Sequence, residues 1–109
     1  MADQFPVGHR YRVDFHAFKV ELFFESETSL TFFGVDANGN VSANGTTVAI
    51  KVIPIRDMLF LVTWQEADKT TVVHVEDYAR GTIITNITNP DLGFQQFHGT
   101  FKEVPVHAA

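Results

Sequence analysis

The sequence predicts an all-β protein: a small antiparallel up-and-down β-barrel of about eight strands, large enough for one small ligand. Three observations carry that prediction. Apolar and polar residues alternate with a period of two along most of the chain. The alternating stretches are rich in β-branched and aromatic residues, with eleven phenylalanines among 109 residues. Turn-forming residues separate the stretches at short intervals, and no stretch shows convincing helical spacing. Short connections favour antiparallel neighbours, and closing the sheet removes its edges. A barrel of this size is either filled by its own side chains or holds one small ligand. An open sandwich is the alternative architecture.

The elements follow in order. His9–Phe15 places Tyr11, Val13 and Phe15 on one face and Arg10, Arg12 and Asp14 on the other. Phe18–Glu25 sets Phe18, Val20, Leu22 and Phe24 against Lys19, Glu21, Phe23 and Glu25. Ser26-Glu27-Thr28 turns the chain into Ser29–Gly34, which carries Leu30, Phe32 and Phe33. Val35–Gly45 is the longest connection. It is rich in Asn, Asp and Gly, which tolerate positive φ, and is the candidate mouth or lid. Thr46–Ile55 follows and must end or bulge at Pro54, which cannot donate to a ladder. Met58–Glu66 and Thr70–Tyr78 form a hairpin around Ala67-Asp68-Lys69. Thr82–Thr88 and Phe94–Lys102 complete the set, joined through Asn89-Pro90-Asp91-Leu92-Gly93. The tail Glu103–Ala109 contains Pro105 and is expected to fray.

Composition narrows the functional classes. The length, 109 residues, suits one domain, which can bury roughly two-thirds of its unfolded surface. There is no cysteine, so disulfides and thiolate chemistry are excluded, and a reducing, cytoplasmic setting is compatible. No signal peptide is visible, and no apolar run approaches the ~20 residues of a membrane helix. A net charge of −5 argues against general nucleic-acid binding. There is no phosphate loop and no nucleophile elbow. No cofactor or metal is expected: the pairs His74/Glu76 and Asp14/His16 supply too few ligands.

The central hairpin holds the only tryptophan, Trp64, and the densest ionisable set, Glu66, His74, Glu76 and Asp77. Phe60, Val62, Trp64 and Glu66 share a face. Pairing Glu66 with Thr71 turns Val73, Val75 and Asp77 inward and His74 and Glu76 outward. A one-residue shift reverses that choice. The first register buries more apolar area and is the expectation. A buried carboxylate is then either paired or functional. The plain readings stand beside these. Trp64 also suits core filler, Glu66 a solvated turn, and Asp77 a strand-end cap.

Thr-Trp-Gln-Glu (Thr63–Glu66), Val-His-Val-Glu-Asp (Val73–Asp77) and Thr-Asn-Ile-Thr (Thr85–Thr88) resemble the MoaF-like proteins. Gly8-His9-Arg10-Tyr11 and Phe97-His98-Gly99-Thr100-Phe101 fit the same resemblance. It implies a small lipocalin-like, calycin-type barrel. It implies no defined activity, and the family's name, taken from molybdenum cofactor biosynthesis, is no ground for expecting that cofactor. More distantly the barrel is similar to phenolic acid decarboxylases, which use tyrosines, an arginine and a glutamate. Tyr11 and Glu66 match those residue types, but no distinctive decarboxylase motif is present.

Three functions follow as expectations. The first is a binder of an apolar or aromatic small molecule. Its walls are Tyr11, Phe24, Phe32, Phe60, Val62, Trp64, Phe97 and Phe101, with Glu66 and Asp77 orienting the polar end. The second is a lyase or isomerase, with Glu66 as general acid or base and Tyr11, His74 or Asp77 assisting. The third is a filled barrel that works through contacts alone. Outward Phe23, Phe33, Ile53, Ile55, Leu59 and Leu61 lie on neighbouring strands and predict a homodimer through that wall.

Overall fold

The computed structural model describes residues 5–106. Among these residues nine strands form one antiparallel sheet: β1 (Arg10–Asp14), β2 (Lys19–Phe24), β3 (Ser29–Val35), β4 (Thr46–Ala49), β5 (Lys51–Arg56), β6 (Leu59–Gln65), β7 (Thr71–Asp77), β8 (Thr82–Asn89) and β9 (Gly93–Val104). Their order is β4-β3-β2-β1-β9-β8-β7-β6-β5. The two end strands, β4 and β5, are consecutive in the chain and separated only by Ile50. They are the halves of the one strand expected over Thr46–Ile55. The first half pairs with β3 and the second with β6, so a kink at Ile50 brings the sheet's edges together. The result is a nearly closed eight-strand barrel with one broken stave. The Ile50 amide donates to the Thr28 carbonyl at 3.0 Å, pinning the kink to the β2–β3 turn. The register shift falls between Pro54 and Arg56, where the missing donor demands it.

Alternation sends Val13, Leu22, Phe24, Leu30, Phe60, Val62, Trp64 and Ile83 into the interior. β1 ends where its chain crosses over Gly99. A methyl group on Gly99 would lie 1.9 Å from the Asp14 carbonyl oxygen, so only glycine admits that crossing. The crossing drives Phe15 inward, where it is buried.

One end of the barrel is plugged. The segment after Phe5 ties to β2 through Gly8 N–H to the Phe24 carbonyl (2.7 Å) and Phe24 N–H to the His9 carbonyl (3.2 Å). Phe5 then packs edge-on against Phe24 (4.8 Å between ring centres) and Phe60 (5.3 Å). Tyr11, Tyr78 and Phe101 interlock beside it with centres 4.8–5.5 Å apart. Edge-to-face rings of this kind add stability beyond the area they bury.

Two expectations about loops are corrected. The Val35–Gly45 connection does not cover the mouth. Gly45 lies against the outward side chains of Thr31 and Phe33, and Gly39 approaches Arg12. The loop therefore runs along the outer wall, where half-buried Phe33 offers it apolar surface. The tail does not fray from Glu103: Glu103 and Val104 pair with Tyr11 and Arg10. The Glu103 carboxylate also meets His9 Nδ1. The rest of that expectation, residues 107–109, lies outside the described residues.

The outer wall of β1–β3 carries a buried ion cluster. Glu21 is 1% exposed. It accepts from Arg10 Nε at 2.6 Å and Arg12 Nε at 2.8 Å. The Arg10 guanidinium also stacks 4.3 Å from the centre of the Phe33 ring.

Candidate functional site

The site depends on the register of the central hairpin. Glu66 N–H donates to the Thr70 carbonyl at 2.7 Å, closing a three-residue loop with Lys69 at φ 77°. That loop length pairs Gln65 with Thr71, Trp64 with Val72, Val62 with His74 and Phe60 with Glu76. The expected register, Glu66 with Thr71, is therefore corrected by one residue. His74 and Glu76 are buried; Val73, Val75 and Asp77 face out, half-buried. The area argument fails for a physical reason. Buried polar groups cost little when they satisfy one another. Glu76 accepts from His74 Nδ1 at 2.9 Å and from the Tyr78 hydroxyl at 2.7 Å. Three residues at i, i+2 and i+4 thus make a polar line inside an aromatic barrel.

The hydrogen bonds also assign protons. An ionised Glu76 only accepts, so Tyr78 O–H and His74 Nδ1–H donate to it. With Nδ1 so engaged, no hydrogen bond to His74 Nε2 occurs among the described residues. Burial, then the Glu76 charge and its hydrogen bond, push the Tyr78 phenol well above its usual pKa of 10.0. Tyr78 stays a donor at every physiological pH.

Above this line the barrel is open. A cavity of about 260 Å³ is lined by Phe15, Phe18, Val20, Leu22, Phe32, Val72 and Ile87, with Lys19, Gly34, Trp64, Glu66, His74 and Thr85. The Trp64 ring packs edge-on against the His74 ring (4.8 Å) and lies 25° from the plane of Phe32, 6.1 Å away. Trp64 Nε1–H donates to Glu66 at 3.2 Å, at the rim. Thr85 sits directly across the ladder from His74. It is 1% exposed, and its Oγ1 has no partner among the described residues. Unpaired buried hydroxyls are costly and rare, so this one marks a position where a partner is missing.

The structure sorts the expected site residues. Phe32, Trp64, Glu66 and His74 meet at the cavity. Phe24, Phe60 and Val62 are core beneath it. Tyr11 and Phe101 belong to the plug at the other end. Burial, then the charges of Glu103 and Glu76, push the Tyr11 phenol up to about 12. Phe97 packs on Phe18 near the mouth, 5.3 Å between centres. Asp77 caps the β7–β8 turn, accepting from the amides of Ala79 (3.0 Å) and Arg80 (3.1 Å). It does not enter the barrel, which overturns its place at the end of the lumen. Thr85, Phe15, Phe18 and Ile87 were missed as site residues. A hydroxyl between Ile83 and Ile87 on an inward face is the signal that finds Thr85. No group of three metal-ligating side chains occurs among the described residues. Nor is any helix there long and apolar enough to cross a membrane.

These features define a class: a small antiparallel barrel, plugged by aromatic rings at one end and open to an apolar cavity at the other. The chain belongs to the MoaF-like family, which matches residues 7–102. No curated protein matches in sequence. Among solved structures, a crystal structure from Burkholderia vietnamiensis described as a "putative beta-lactamase" is similar, with a TM-score of 0.80 and 25% identity. The match covers 90% of this chain and 94% of that one.

Proposed function

We propose that this protein is a lipocalin-like binder of a small, flat, apolar or aromatic molecule carrying one hydrogen-bonding group. The observation that carries the reading is the unpaired Thr85 Oγ1, across the ladder from His74, in the lining of a mostly apolar cavity. Pockets that bind small molecules have this composition: apolar walls with a few convergent polar atoms. Trp64 and Phe32 supply aromatic surface, and Glu66 and Lys19 at the rim meet a polar edge of the guest. β-Naphthol is a suitable probe. Its titration should quench Trp64 fluorescence saturably, with one molecule bound per chain. Unchanged emission across naphthols, indoles and aromatic ketones would remove the reading.

The lactamase description of the similar structure does not transfer easily. Among the described residues the cavity is lined by no serine and no cysteine, the side chains that most readily form a covalent acyl-enzyme.

A second proposal concerns the outer wall, where we infer a homodimer. Ile53, Leu61, Val75 and Ile84 are consecutive cross-strand partners on β5–β8. Ile53 is 53% exposed, Ile55 52% and Ile84 42%. Leu59 extends the row, while half-buried Phe33 lies under Arg10 and Phe23 faces β3 on the far side of the broken stave. The row contains no charge, so a second copy related by a two-fold axis meets no like-charge repulsion. Sedimentation should give twice the chain mass, reverting to one in Ile53→Lys; a monomer at micromolar concentration contradicts it. The absence of cysteine supports a cytoplasmic setting.

A further inference from the structure

We propose that the cavity is also a proton-transfer site, with His74 Nε2 as the base and Thr85 Oγ1 as the oxyanion donor, for small conjugated or aryl ketones bearing an acidic C–H beside the carbonyl. The proposal rests on the binding reading above.

The geometry points to it in three ways. His74 has the arrangement a general base needs. Its Nδ1 is held by a buried carboxylate, which fixes the ring and the tautomer and leaves Nε2 to accept a proton. Glu76 is itself fixed by Tyr78, so it is a positioning residue. Thr85 is the cross-strand partner of His74 and holds an unused O–H. A carbonyl oxygen bonded to that O–H would bring its neighbouring carbon to the cross-strand pair that also carries the imidazole. Finally, the apolar walls and the aromatic surface of Trp64 and Phe32 select a conjugated guest.

The step balances within the site. His74 Nε2 takes the α-proton and forms an N–H bond. The C–H electron pair becomes the C=C bond of an enolate, and the carbonyl π pair moves onto oxygen, where Thr85 O–H stabilises it. The imidazolium faces the Glu76 carboxylate and returns its proton to the same carbon or to a conjugated one. The first outcome is exchange and the second isomerisation. No other reactant is consumed. The charged groups around the imidazole are Glu76 on its own strand and Lys19 and Glu66 at the rim; Trp64, Thr85 and Phe15, packed against it, are neutral.

The test uses β-tetralone as the probe, in deuterated water, with loss of its α-proton signals followed by NMR and binding followed by Trp64 quenching. The expected result is saturable exchange, faster than with the same concentration of free imidazole. His74→Gln should lower it about a hundredfold or more with binding retained. Thr85→Val keeps every hydrogen bond of the fold, so it serves even if His74→Gln does not fold. It should slow exchange about a hundredfold. Glu76→Gln should lower the exchange rate of bound β-tetralone with its affinity, read by Trp64 quenching, unchanged; a purely structural role would weaken binding as well. Bound β-tetralone that exchanges no faster than with imidazole, or equally in the His74 and Thr85 variants, overturns the proposal and leaves the binding reading intact. Quenching by β-naphthol but not by β-tetralone overturns the ketone class and with it the proposal. Quenching by neither overturns both readings.

Discussion

The two ends of this barrel are built from the same residue types and behave differently. At the plugged end Phe5, Tyr11, Phe24, Phe60, Tyr78 and Phe101 pack with ring centres 4.8–6.1 Å apart. At the open end Phe15, Phe18, Phe32 and Trp64 surround about 260 Å³ of space. What differs is the strap. Residues Phe5–His9 cross the plugged end and add a sixth ring, whereas the Val35–Gly45 loop lies along the outer wall and adds none to the mouth. The polar groups follow the same division. Glu76 and Tyr78 satisfy each other toward the plug, while His74 and Thr85 line the cavity at the open half, Thr85 Oγ1 without a partner among the described residues. Aromatic content alone therefore does not decide between core and pocket; the chain that covers each end does.

The sharpest way to break this comparison is to make the same truncation at both ends. Phe24→Ala should cost about 4 kcal/mol, since Phe24 is fully buried against Phe5 and Tyr11. Phe32→Ala should cost about half of that, because Phe32 borders space already empty of protein. Equal losses in denaturant titrations would erase the distinction.

A change on the outer wall calibrates both. Glu21→Gln leaves buried Arg10 and half-buried Arg12 without a counter-charge and should cost about 3 kcal/mol. Burial pushes the Glu21 carboxyl up, but the hydrogen bonds and charges of Arg10 and Arg12 outweigh it and hold it below its usual value of 4.5. A depressed carboxylate stabilises the fold above its unfolded pKa, and that contribution is lost as pH falls through the folded one. Acid unfolding of the native protein should show this loss, and Glu21→Gln should lack it.

Tyr78→Phe acts at the junction of the ends. It removes a donor from a buried carboxylate and should cost about 2 kcal/mol, measured as a lowered midpoint in urea. The smallest effect has the opposite sign. Thr85→Val deletes an unpaired buried hydroxyl and should stabilise the free protein by about 1 kcal/mol while weakening β-naphthol binding. Gain in stability with loss of affinity is the signature of a site held at a cost to the fold.

Much of this architecture is legible in the sequence. Tyr11/Val13/Phe15 and Phe60/Val62/Trp64 alternate cleanly, and Pro54 marks the irregular ladder. The register of β7 is not legible, because it turns on one residue of loop length and on Lys69 adopting positive φ, which its type does not advertise. The pattern on β7 is also misleading. Val73 and Val75 look like the core face, and only the Tyr78 hydroxyl, closing the line His74–Glu76–Tyr78, makes the polar face the buried one. The apolar outer row is half legible. Ile53 and Leu61 are read correctly as outward, but their continuation onto Val75 and Ile84 requires the corrected register.

The most direct test of the account is where a guest sits. Intermolecular NOEs should be recorded from β-naphthol to the methyl groups of the isotope-labelled protein. The account expects contacts to Val20, Val72 and Ile87 at the open end, and none to Val13 or Leu30 in the packed interior. Contacts distributed over both ends, or confined to the outer Ile53–Ile84 wall, would contradict it.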